Sequence, residues 1–148
     1  MHLHPRPTAP IGTFALATAL VAALAVASIT VATAAAPPAL YTTAQAAAGH
    51  ADFETHCSMC HGKDLQGITG PTLVGPAFAS ESNNYTVSAI FDELSQQMPA
   101  GAPGSLTNTQ YADIMAFILS KNGYPAGDSP LTYDAAQNST TKLISRVK

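Results

Sequence analysis

The chain has 148 residues, a formal net charge of −3, two cysteines and no tryptophan. Apart from Arg6, every charged side chain lies from Asp52 onward, where five basic residues stand against nine acidic ones. That mildly acidic balance argues against a nucleic-acid partner, which calls for a basic face, and the length allows one domain with additional segments.

Met1 to Pro10 carries Arg6, and residues 11–36 then run without a charge, mostly Ala, Val, Leu, Ile and Thr. A short positive start, an apolar run and small residues form the plan of an export signal, with A-x-A cleavage sites at Ala32-Thr33-Ala34 and Ala44-Gln45-Ala46. About 20 apolar residues also span a bilayer. The segment is therefore read as a cleaved signal peptide, with an N-terminal membrane anchor as the alternative; its Ala-rich, Thr-interrupted composition favours cleavage. Both readings place an apolar helix outside the folded domain and the domain outside the cytoplasm. The expected location is periplasmic, with attachment to the inner membrane only if the segment is uncleaved. Pro37 and Pro38 open a linker, so residues 1–46 are assigned to signal or anchor plus linker.

From Ala47 the character changes. Gly49, Phe53 and Cys57 are four apart and Cys60 is three further, a spacing that puts them on one helical face. The chain's only cysteines occur in Cys57-Ser58-Met59-Cys60-His61. Two thiols one helical turn apart can each add across one vinyl group of a haem edge, and an imidazole directly after them can bind the iron. A dithiol redox site would expect a βαβ context, which is not visible. A zinc site would need four ligands, and no second cysteine pair exists. A plain structural disulfide is the remaining alternative. His50 and His56 are expected on the solvent side.

A helix carrying Gly, an aromatic four residues on and a haem motif eight residues after the Gly resembles class I c-type cytochromes. With the segments described next, the resemblance spans residues 47 to about 123, taken as the cytochrome c domain. It implies an all-α, small class I cytochrome c fold of three to four helices around one covalent haem c per chain. Cys57 and Cys60 would form the thioethers and His61 would be the proximal iron ligand.

Residues 62–78 are rich in Gly and Pro and read as loop. The resemblance matches Gly70-Pro71-Thr72-Leu73 to a segment that passes the proximal histidine, and implies that the Pro71 carbonyl accepts the His61 ring N–H and fixes its orientation. Residues 86–97 then read as a helix from the spacing of Val87, Ile90, Phe91 and Leu94, with Thr86 as N-cap. Pro99 ends it and leaves Met98 in a loop. A thioether there can complete the iron coordination. Of the other methionines, Met1 is distant, Met59 sits between the cysteines and Met115 lies inside the last helix, where an apolar filler is expected. Met98 is also where the family carries its distal ligand, so His61 and Met98 are the expected axial pair.

Thr107 and Gln110 form a capping-box pattern, with Leu106 and Tyr111 as the hydrophobic staple. Ile114, Phe117 and Ile118 continue the apolar stripe, and Gly123 suits the C-terminal cap. The resemblance implies that this helix crosses the first, with Phe117 against Gly49. Residues 124–148 are expected to be a loosely packed or mobile extension.

The leading functional expectation is a monohaem electron-transfer protein with no substrate chemistry of its own. It would shuttle single electrons between a periplasmic dehydrogenase or quinol-oxidising complex and a terminal acceptor such as an oxidase. The segment from Met98 to Ile114 resembles cytochromes associated with bacterial periplasmic dehydrogenases. The alternative is a permanent cytochrome subunit of a quinone-cofactor or flavin dehydrogenase. A haem enzyme or gas sensor is the third reading, which a Met98 ligand would disfavour by closing the sixth site.

Overall fold

The structure, a computed structural model, describes residues 1–2 and 36–148; the apolar helix expected ahead of the domain lies outside them. The helices are α1 (Thr43–His56), α2 (Ser58–His61), α3 (Val87–Gln97), α4 (Asn108–Lys121) and α5 (Tyr133–Gln137), with a 3₁₀ turn at Glu81–Asn83. Among the described residues there are no strands, only isolated bridges between Tyr41 and Ala126 and between Thr86 and Lys142. No described helix is long and apolar enough to cross a membrane.

Local chemistry explains where the helices start. Thr42, Thr86, Thr107 and Thr132 each adopt extended backbone, and each hydroxyl accepts the N–H three residues on. That satisfies one of the donors a helix start leaves free. At α4 the cap is reciprocal: the Gln110 side chain accepts the Thr107 N–H at 3.1 Å. The first helix begins four residues ahead of the expected boundary at residue 47, and Tyr41 before it is buried.

The all-α class matches expectation; among the described residues there are five α-helices where three to four were expected. The chain breaks at Cys57, where φ is −126° and ψ −29°, so the haem-motif helix is divided into α1 and α2. The tail contributes α5.

The principal packing is α1 against α4. It depends on Gly49: a Cβ at that position would lie 1.8 Å from the Asp113 carbonyl oxygen. The backbones of α1 and α4 therefore meet at Gly49, Asp113 and Ile114, and Phe117, expected against Gly49, lies beside the adjoining residues of α1. It stacks on His50 with centroids 4.7 Å apart and lies 5.3 Å from Phe53.

Residues 124–148, expected to be loosely packed or mobile, are seated on the core. Leu131, Ala136 and Leu143 are buried, and Tyr133 meets Phe91 edge-on at 4.9 Å. Backbone bonds fix residues 139–146 along their length: Ser88 N–H to Ser139 O, Val87 N–H to Thr141 O, Leu143 N–H to Tyr85 O, Ser145 N–H to Ala79 O and Arg146 N–H to Asn122 O. The extension supplies partners for N–H groups at the start of α3, which is how it is seated there.

Candidate haem site

A cavity of about 840 Å³ opens between α1–α2, α3 and the loop after α3. Cys57, Cys60 and His61 line one side and Met98 lines it from the loop after α3. Phe53, Leu73, Ile90, Leu94, Ile114 and Ile118 contribute an apolar lining. The volume falls within the range of cofactor sites, about 300–1,000 Å³. The two thiols, one imidazole and one thioether that converge on it are the donor set a covalently attached, six-coordinate haem requires. Size and chemistry fit that group.

The imidazole is oriented by the loop that follows it. Ile68, Thr69 and Gly70 N–H groups all donate to the Cys60 carbonyl, and Gly67 N–H donates to the His61 carbonyl at 2.7 Å. Gly62 at φ +78° and Gly67 at φ +81° supply the left-handed turns this winding requires. The loop thus returns over the histidine, and His61 Nδ1 lies 2.8 Å from the Pro71 carbonyl oxygen. A carbonyl can only accept, so this contact places a proton on Nδ1, and in the neutral imidazole Nε2 is then the nitrogen left with a lone pair.

Cys57 and Cys60 are not joined in a disulfide, and both are partly buried. Burial pushes the Cys57 thiol up to about 11, with the Asp52 and Cys60 charges adding to the effect. A dithiol redox site needs the opposite, a lowered thiol. Among the described residues, no three His, Cys, Asp or Glu side chains gather as a metal-ion site. Met59 is exposed at the cavity mouth and Met115 is fully buried in α4.

Two groups important to the site carry no local signal in the sequence. Asn122 is buried at the end of α4. Its Nδ2 donates to Leu73 O at 2.9 Å and Ile118 O at 2.8 Å, and its Oδ1 accepts Gly75 N–H at 3.2 Å. It ties the loop that lines the proximal side to α4. Tyr111, assigned to the staple by its spacing, also directs its hydroxyl to Met98 O at 2.8 Å. Only the tertiary structure brings these polar groups together.

An all-α domain with a haem-sized cavity between its helices and a Cys-x-x-Cys-His turn on its wall is that of a c-type cytochrome. The family model described as cytochrome c oxidase, cbb3-type, subunit III matches residues 44–118, just over half the chain, and the chain belongs to that family. It is thus an electron-transfer haem protein of a family that binds haem c covalently. No curated protein sequence matches it. Its fold is similar to a chain in the crystal structure of the sulfane dehydrogenase SoxCD from Paracoccus pantotrophus, with a TM-score of 0.53 and 26% identity. The match covers 66% of this chain and 52% of the other, so the chain spans about half the length of that relative.

Proposed function

We propose that the chain is a monohaem electron carrier in which Cys57 and Cys60 bind the haem edge, His61 and Met98 are the axial ligands, and Pro71 orients His61. The observation that carries this reading is the convergence of these side chains on one apolar cavity. Bound there, haem c supplies a one-electron iron couple, and a His/Met pair holds it at a raised potential. The His61 Nδ1–H bond to Pro71 keeps Nε2 available and strengthens it as a donor. Leu94, Ile114 and Ile118 limit water around the site. Met98 would close the sixth position of a haem held there, leaving the iron to move electrons without binding small ligands.

The proposed setting is the periplasm, with electrons taken from a dehydrogenase or quinol-oxidising complex and passed to another haem protein or a terminal oxidase. The test is Met98→Ala in the full chain carrying its haem. The oxidised variant should lose the sulfur-to-iron charge-transfer absorption and its reduced form should bind CO rapidly. Retention of the band sinks the axial assignment. Cys57→Ala with Cys60→Ala should abolish haem that survives denaturation; haem still attached in that variant overturns the thioether assignment.

A second reading, a permanent subunit of a dehydrogenase complex, is supported by the likeness to a chain of a dehydrogenase. Co-purification of a large catalytic subunit from native extracts supports it, and a lone monomer counts against it.

A further inference from the structure

Among the described residues, the hydrogen bonds that tie the loop carrying Met98 to α4 all end on a single side-chain oxygen, while Met98 and Leu106 at its ends also pack on the core. Two turns stabilise the loop from within: Ala102 N–H donates to Pro99 O at 2.8 Å, and Ser105 N–H to Ala102 O at 3.3 Å. Gly101 and Gly104 face open space, so packing adds little restraint there. Both hydrogen bonds that join residues 98–106 to α4 end on Tyr111 Oη. The hydroxyl donates to Met98 O at 2.8 Å and accepts Leu106 N–H at 3.4 Å. Tyr111 itself is buried in the first turn of α4, behind the capping box at Thr107 and Gln110. The two bonds thus join the first and last residues of the loop through a rigid phenol anchored in a helix.

We infer that Tyr111 is a positioning residue that clamps both ends of the 98–106 loop and so sets how readily Met98 leaves the sixth coordination position. This rests on the reading of Met98 as axial ligand. Opening the loop requires breaking the bond at Met98 O. The buried hydroxyl leaves water poorly placed to replace it. Without the hydroxyl, the open form costs less and a competing ligand gains by the same factor.

The structure also supplies a matched control. Tyr124 Oη makes the same pair of bonds elsewhere, donating to Lys142 O at 2.7 Å and accepting Ile144 N–H at 3.1 Å. Tyr124 is about equally buried and, unlike Tyr111, makes no hydrogen bond to residues 98–106. Losing its hydroxyl removes the same kind of bonds without touching the Met98 loop.

The experiment titrates imidazole into the oxidised, haem-loaded full chain and follows loss of the sulfur-to-iron charge-transfer band. Wild type, Tyr111→Phe, Tyr124→Phe and Met98→Ala are compared. Tyr111→Phe should bind imidazole about three- to tenfold more tightly, the worth of one hydrogen bond, and should speed hydrogen exchange at the Leu106 amide. Tyr124→Phe should bind imidazole as wild type does. Equal affinity in Tyr111→Phe and wild type overturns the clamp, and so does an equal shift in both tyrosine variants, which would mark a general loss of stability. A band that persists in Met98→Ala is a separate result: it overturns the ligand reading, and the clamp's role in ligation falls with it.

Discussion

The ring of His61 occupies the space that a side chain at residue 70 would need. A Cβ on Gly70 would lie 2.9 Å from His61 Cε1 and 3.1 Å from Nδ1. The glycine lets the returning loop press against the imidazole, and the bond to Pro71, one residue on, then fixes the ring's rotation.

Gly70→Ala should therefore move either the ring or the loop. The overpacking should cost about 1–3 kcal/mol, read as a lowered Tm. On the proposed ligation, a weakened Nδ1–H bond makes His61 a poorer donor, so the reduction potential should rise. An unchanged Tm together with an unchanged potential would show that the ring is not confined.

Asn122 holds the start of the 73–75 segment to the end of α4. Asn122→Leu keeps approximate volume but strands Gly75 N–H and Leu73 C=O. The expected loss is about 1–3 kcal/mol for each group left unpaired. Chemical denaturation measures the sum, and hydrogen exchange should accelerate at Gly75. If the Gly75 amide exchanges as slowly as before, the segment does not depend on Asn122.

Leu143 is fully buried, although it lies in the C-terminal extension. Leu143→Ala should cost about 2–5 kcal/mol, whereas Thr140→Ala, on the exposed side of the same segment, should stay within about 0.5 kcal/mol. Equal effects from the two substitutions would mean the extension adds no core.

Asp113 gives a pH-dependent prediction. Burial raises its carboxyl above the usual range and the Asp52 charge adds to this, while the Gln45 amide, donating at 2.9 Å, opposes it. A raised carboxyl favours the protonated form in the fold. Its stabilising contribution is complete below the unfolded value and is lost as pH rises through the folded one. At neutral pH the charge is a cost. Asp113→Asn keeps an acceptor for Gln45 and removes that cost, so its Tm should exceed the parent's at neutral pH. The difference should shrink as the medium is acidified through the carboxylate range. A Tm difference that does not vary with pH would count against the assignment.

Much of the site was legible because its signals are local. The spacing of Cys57, Cys60 and His61, the Thr107–Gln110 cap and the apolar spacing of α3 each depend on residues within two turns of one another. The break at Cys57 was less visible, because the same spacing suits a continuous helix. Asn122, the Tyr111 hydroxyl and the extension were illegible for a different reason. Their partners lie 49, 13 and about 60 positions away, and polar side chains such as these carry no periodicity that would identify a distant acceptor.

The seating of residues 139–146 on residues 79–88 also bears on the order of assembly. Contacts separated by about sixty positions must meet the loop-closure cost before they return any stability. The turn from Cys57 to Pro71 closes over far shorter distances and can form first. The α3 wall and the α1–α4 crossing at Gly49 and Asp113, both built from contacts of comparable sequence separation, are therefore expected to form after that turn.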